Sequence, residues 1–268
     1  MVFEQYWHLA RNPFDKTLPA RDAFATRDFR EATSRLDFLA RAGGIGLVTA
    51  DPGTGKTFAV RTWAARLNPN TNKVVYIRLS TVTNMEFYRE LCQGLGIEPS
   101  LKKTDMFRDI QARVRSLAED RRVRVTLVVD EAHHLASSIL GDLQMIANFD
   151  MDSRDMLAIV LVGHSVLAQY LSRQPHEALR QRLVAAYRMR GLDAGGAAGY
   201  VRAMLAASGA DPDLLDDAAL ASAHACSGGS IRRLNSVMTN ALTIGAQQRA
   251  RAVDAEMVRC AAEELVLL

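Results

Sequence analysis

Short aliphatic runs and segments of helical period alternate through the first two thirds of the chain. The pattern predicts strand 45–49 leading into helix 56–67, strand 74–79 into helix 84–95, helix 104–119 into strand 124–129, and helix 135–148 into strand 157–162. A last short strand is expected at 184–189. Alternation of this kind argues for an α/β fold with a parallel sheet and helices on both faces. The run Val125-Thr126-Leu127-Val128-Val129 is nearly all aliphatic, as a strand buried on both faces requires. From Asp193 onward strand signals vanish. Helices at about 194–208, 214–226, 230–247 and 253–265, separated by Gly209, Asp211-Pro212 and Gly228-Gly229, read as a small all-α domain. Residues 1–40 form a mixed leader, with Tyr6-Trp7 and Asn12-Pro13-Phe14 ahead of a helix from about Arg30 to Arg41. The expected division is therefore leader 1–40, α/β core 41–191 and helical lid 192–268.

Composition narrows the class. At 268 residues and 49% apolar content the chain can fill a large core. Cys92, Cys226 and Cys260 are far apart and odd in number, which suggests neither a disulfide framework nor a zinc site. Glu4, His8, Arg11 and Asp15 interrupt the start, and no apolar run reaches the length of a membrane span, so a cytoplasmic protein without a membrane partner is expected. The net charge of +3 is unevenly spread: residues 1–190 carry 27 Lys+Arg against 21 Asp+Glu, and residues 191–268 carry 6 against 9. Lys102, Lys103, Arg108, Arg113, Arg115, Arg121, Arg122 and Arg124 hold much of the excess. They lie beside an apolar stripe of Phe107, Ile110, Val114 and Leu117, so the set is either the solvated face of a helix or a phosphate-binding surface.

Between the first aliphatic run and the first helical pattern stands Ala50-Asp51-Pro52-Gly53-Thr54-Gly55-Lys56-Thr57. Gly53 and Gly55 let the backbone curl so that successive N–H groups point at a phosphate, and the following helix adds its positive N-terminal end. This is the context of a nucleotide phosphate-binding loop, and ATP is the expected ligand. Lys56 is expected on the β- and γ-phosphates and the Thr57 hydroxyl on Mg²⁺. Ala50 stands where the loop pattern has its first glycine, so the backbone there must avoid positive φ. The strand at 124–129 ends in Asp130-Glu131, at the end of a parallel strand where ligands bind. Asp130 is expected to hold Mg²⁺ through water, and Glu131 to orient and deprotonate the attacking water.

Five segments together resemble the AAA+ ATPases of the secretion-pathway A type. They are Tyr6-Trp7 with Asn12-Pro13-Phe14, the loop Pro52 to Thr57, Asp130-Glu131-Ala132, Leu179-Arg180-Gln181-Arg182, and Ser227-Gly228-Gly229-Ser230-Ile231-Arg232-Arg233-Leu234-Asn235. That subfamily also contains ATP-binding regulators encoded beside transposases. The resemblance implies an α/β phosphate-loop core followed by an α-helical lid. It puts Asn12, Pro13 and Phe14 over the adenine, with Pro52, Gly53, Thr54, Gly55, Lys56, Thr57 and Phe58 around the nucleotide. His164 falls at the first sensor, though a histidine satisfied by a local hydrogen bond is the equal alternative. Arg182 matches the arginine finger of a neighbouring subunit, with Arg180 as the alternative. Arg232 matches the second sensor; Ile231 replaces the usual proline before it, which leaves Arg233 in contention.

An arginine supplied in trans implies self-assembly into a hexamer-like ring or a helical filament, with ATP holding the subunits together. Repetition of a weak basic surface would give tight binding to double-stranded DNA. Lys102, Lys103 and the polar stretch Ser80, Thr81, Thr83 and Asn84 are the candidates. The resulting expectation is a DNA-binding ATPase that regulates transposition by selecting target DNA and recruiting a transposase. Secretion members usually join this ATPase to a membrane span and a wall-binding domain, and the sequence contains neither. A stand-alone secretion ATPase, a helicase-loader-like ATPase and an ATP-locked DNA scaffold are the alternatives.

Overall fold

The computed structural model of the chain describes residues 3–15, 24–78, 83–211 and 214–265. It divides into two compact units, one of residues 31–50 and 56–189, the other of residues 1–30, 51–55 and 190–268.

The first unit is built on a parallel sheet of strands β1 (Gly44–Ala50), β2 (Asn72–Arg78), β3 (Arg124–Asp130), β4 (Leu157–Gly163) and β5 (Leu183–Met189), in the order β2-β3-β4-β1-β5. Burial follows that order. Every residue of β1 and β4, and all of β3 except Arg124, is buried, whereas edge strand β5 alternates. A strand flanked on both sides and covered on both faces needs predominantly aliphatic runs, as seen at 45–48, interrupted by Gly46, at 125–129, interrupted by Thr126, and at 157–162.

Helices α1 (Phe3–Tyr6), α2 (Arg27–Ala42), α3 (Lys56–Arg66), α4 (Asn84–Leu95), α5 (Lys103–Glu119) and α6 (Ser137–Ile146) precede two short ones, α7 (Val166–Leu171) and α8 (Glu177–Gln181). Helix α4 has the bounds expected for it. Thr83 and Glu86 form a capping box at its start, and Gly96 closes it in the left-handed conformation at φ 75°. Helix α5 buries Met106, Ile110, Val114 and Leu117, with Phe107 only partly covered. Helix α6 begins later than the expected 135, because residues Ala132–His134 form a 3₁₀ turn and Ala136 is still extended.

Trp63 on α3 is fully buried, and its Nε1–H donates to Asp37 Oδ1 on α2 at 2.8 Å. Trp63→Ala removes that packing and leaves the Asp37 carboxylate without its indole donor. Denaturant unfolding should register a loss of about 3–5 kcal/mol; a loss below about 1 kcal/mol would mean that α3 is not anchored this way.

The second unit contains helices α9 (Ala194–Ala206), α10 (Asp217–Ser227), α11 (Ile231–Gln247) and α12 (Ala255–Glu264). Each starts at a side-chain cap: Asp193, Asp216, Ser230 and Asp254 accept backbone N–H groups from Gly196, Ala219, Arg233 and Met257. Such caps satisfy donors that the first turn leaves unpaired. Residues 3–15 belong to this unit, since Leu9 and Phe14 enter the core formed by Leu192, Val201, Leu234 and Val237. Trp7 Nε1–H donates to Leu242 O and the Tyr6 hydroxyl to Ala250 O, both at 2.8 Å. Among the described residues no helix is long and apolar enough to cross a membrane.

Candidate nucleotide site

Strand β1 delivers the loop. Ala50 is its last residue, fully buried and without the positive φ that would demand glycine, so the departure from the loop pattern costs the backbone nothing. Beyond it the chain turns at Gly53 (φ 81°) and Gly55 (φ 98°), while the Thr54 hydroxyl donates to Asp51 O at 2.9 Å. Space as well as φ requires glycine at 53. A Cβ there would stand 2.4 Å from Ser230 Oγ and 2.9 Å from Arg232 Cβ. The N-terminus of α11 is bonded to the loop, because Arg232 N–H donates to Gly53 O at 3.0 Å. That bond sets Arg232 directly beside the loop; Arg233 N–H instead donates to the capping Ser230 Oγ.

On the sheet side, Lys56 is buried to 9% exposure, with Nζ 3.7 Å from Glu131 Oε1. Asp130, 1% exposed at the end of β3, is held on both oxygens. Oδ2 accepts from the Thr57 hydroxyl at 2.9 Å and the Tyr76 hydroxyl at 2.7 Å, and Oδ1 accepts from Glu131 N–H at 2.8 Å. Tyr76 is exposed as a residue, but desolvation of its hydroxyl end, and then the bond to Asp130, push the phenol above its ordinary value, so it stays a donor. Glu131 leaves the strand in the left-handed region at φ 56°, a conformation that a non-glycine residue keeps only where its surroundings hold it. Its Oε2 lies 3.5 Å from His133 Nδ1. Desolvation, followed by the neighbouring His134, lowers the His133 pKa, so the ring is neutral near pH 7.

His164 follows β4, the strand paired with β1, and so reaches the same end of the sheet as the loop. Its N–H donates to His133 Nδ1 at 3.3 Å, and its own Nδ1 lies 3.2 Å from Ser165 Oγ. Tyr76, His133 and His134 were not singled out from the sequence. The two histidines follow Asp130-Glu131 directly, a visible signal; Tyr76 depends on the β2–β3 register, which pairs it with Val128.

Phe14 is 4% exposed inside the helical core, and Asn12 Oδ1 accepts Phe14 N–H at 2.9 Å, so both side chains are committed to the fold of the leader; Pro13 is buried. Phe58 is half-buried beneath the Arg61 guanidinium. Lys103 pairs with Asp142 at 2.7 Å, whereas Lys102 is exposed. Thr83 caps α4, and Asn84 Nδ2–H donates to Asp142 at 2.9 Å. Ser80 and Thr81 lie outside the described residues. Arg180 donates to Ser172 O at 3.2 Å, and Arg182 is half-buried at the end of α8.

A parallel sheet with its phosphate-type loop after the first strand, an Asp-Glu pair after the third and a capped helical unit define an AAA+ nucleotide-binding fold. Residues 40–171 match the family model described as AAA domain. The chain is 29% identical over 247 residues to general secretion pathway protein A of Aeromonas hydrophila, a match spanning 90% of this chain and 44% of that protein. Its backbone resembles Cdc6p of Pyrobaculum aerophilum, with a TM-score of 0.72 at 19% identity over 94% of this chain and 70% of the other. It also resembles the Aeropyrum pernix ORC1 protein solved in complex with DNA, with a TM-score of 0.64 at 18% identity, covering 97% and 69% of the two chains. At such identities the structural likenesses speak for the fold alone. Together these matches support an AAA+ ATPase of the general secretion pathway protein A type, and the chain spans under half the length of that relative.

Proposed function

We propose that this chain hydrolyses ATP as a self-assembling AAA+ ATPase on double-stranded DNA, and that it serves transposition by selecting target DNA and recruiting a transposase. The observation that carries the chemistry is the meeting of Thr57 with Asp130 at 2.9 Å and of Lys56 with Glu131 at 3.7 Å. Hydroxyl and carboxylate oxygens side by side are the hard donors that Mg²⁺ takes, directly or through water. When bound, Mg²⁺ neutralises charge on the β- and γ-phosphates. Lys56 exchanges its carboxylate neighbour for phosphate oxygens. Glu131, thereby released, takes the proton of the attacking water, and Tyr76 and Glu131 N–H keep Asp130 oriented. Arg232 reaches the nucleotide from the helical lid, and Arg182 serves the site of the next subunit.

The DNA reading is supported by the exposed Lys102 and by the uneven charge. Backbone contacts of this kind are insensitive to sequence and weaken steeply with salt. Because Asp142 already takes the Lys103 charge, Lys102→Ala should carry most of the effect of the double substitution. Fluorescence anisotropy with duplex DNA and a non-hydrolysable ATP analogue should register a salt slope shallower by about one unit for Lys102→Ala, with nucleotide affinity unchanged. Absence of DNA binding at low salt, with and without nucleotide, would refute the transposition role. The second reading, a secretion ATPase in the cytoplasm, rests on the 29% identity to general secretion pathway protein A.

A further inference from the structure

We infer that Glu131, His133 and His134 form a binding site for a divalent transition-metal ion of the Zn²⁺ class, and that an ion bound there holds the ATPase off by withdrawing Glu131. The inhibitory half rests on the hydrolysis proposed above; the ion site does not. One ligand atom from each of the three side chains lies within 4.8 Å of the other two. Tetrahedral zinc, with bonds of about 2.0–2.2 Å, sets its ligand atoms roughly 3.3 Å apart. His133 Nδ1 and Glu131 Oε2, 3.5 Å apart, already span one such edge. His134 is exposed and its ring centroid is 4.1 Å from that of His133, so rotation of a surface side chain brings in the third ligand. The left-handed turn at Glu131, followed at once by the 3₁₀ turn Ala132–His134, is what gathers a carboxylate and two imidazoles from four consecutive residues.

Donor chemistry separates this site from the neighbouring one. Thr57 and Asp130 offer only oxygen, which suits Mg²⁺; two imidazoles with one carboxylate suit zinc, cobalt or nickel and leave a fourth position for water or a phosphate oxygen. Binding through Nδ1 exchanges the 3.3 Å bond that His133 accepts from His164 N–H, and it draws the Glu131 carboxylate from Lys56. A carboxylate coordinated through Oε2 shares its charge with the cation, so its remaining oxygen is a weaker base and is turned away from the attacking water. Occupancy therefore weakens the base and breaks the bond from His164 N–H together.

The test uses the full chain, stripped of metal by chelator and free of nucleotide, titrated calorimetrically with Zn²⁺ and spectroscopically with Co²⁺. Expected are one ion per chain, micromolar or tighter affinity, and the visible bands of tetrahedral cobalt. His133→Ala and His134→Gln should each weaken binding by at least about 10-fold, since even an outer-shell partner is worth 10- to 100-fold. Asp130→Asn should leave Zn²⁺ affinity unchanged while weakening Mg²⁺. Stoichiometric Zn²⁺ should lower ATP turnover of the unsubstituted chain and spare His134→Gln, whose exposed position makes misfolding no explanation. No one-to-one binding, undiminished binding in both histidine variants, or equal inhibition of His134→Gln overturns the inference. A chain that binds Zn²⁺ as described but never hydrolyses ATP refutes the hydrolysis reading and leaves the ion site standing.

Discussion

Lys56→Ala is expected to abolish ATP binding, whereas Glu131→Gln preserves binding and arrests the chain in an ATP-loaded assembly. Lys56 is 9% exposed, and in the absence of phosphate Glu131, 3.7 Å away, is the carboxylate that faces it. Phosphate oxygens replace that partner, and each hydrogen bond between the ammonium and a charged oxygen contributes about 1.5–3 kcal/mol. Alanine loses those bonds and leaves nothing beside the developing charge. Glutamine keeps the shape of Glu131 and its backbone bond to Asp130, so binding survives while the proton acceptor is gone; turnover should fall about 10²- to 10⁴-fold. Calorimetry with a non-hydrolysable analogue and phosphate release measured on the same preparations separate the two effects. Tight analogue binding by Lys56→Ala would sink the assignment of the loop, and undiminished turnover by Glu131→Gln the assignment of the base.

The parts of this site that sequence made legible are those with local causes. The loop needs only Gly53, Gly55, Lys56 and Thr57 in order between a strand and a helix, and each central strand is a predominantly aliphatic run because neighbours cover both its faces. Caps also act locally, which is why α4 carries the expected bounds. Elements of fewer than seven residues were missed, among them α7, α8 and the turn Ala132–His134. Their few apolar contacts, such as Leu167 and Leu179, show no period, and Pro175 and His176 interrupt the pattern. Tyr76 is the plainest case of a long-range cause. It sits 54 residues from Asp130 in sequence, and only the strand pairing brings its hydroxyl to the carboxylate. The leader was legible as a motif but not as packing. Phe14 enters the helical core, 4% exposed, through contacts distant in sequence.

Arg182→Ala is expected to lower turnover by about 10³- to 10⁵-fold, the range associated with an arginine finger, while leaving nucleotide binding intact. The sheet register makes its action within one chain impossible. Arg182 immediately precedes β5, whose first residue, Leu183, pairs with Ile45 near the start of β1, whereas the phosphate loop follows Ala50 at the other end of that strand. Five residues of strand at about 3.3 Å each separate the two ends by roughly 17 Å, further than any arginine side chain extends. Arg180, spent on Ser172 O at 3.2 Å, is the weaker alternative. A guanidinium has a permanent charge and a planar fork that spreads over phosphate oxygens, so a residue at this end of the sheet can complete a site only in a neighbouring copy. Inactive Arg182→Ala mixed with inactive Glu131→Gln should then regain part of the ATPase activity, because one class of mixed interface joins an intact Glu131 on one chain to an intact Arg182 on the other. Recovery should rise and then fall as the ratio is varied, with a maximum near equal amounts, and size measurements in ATP should detect the assembly. A strictly monomeric protein in ATP that hydrolyses as fast after Arg182→Ala as before would rule out a shared site.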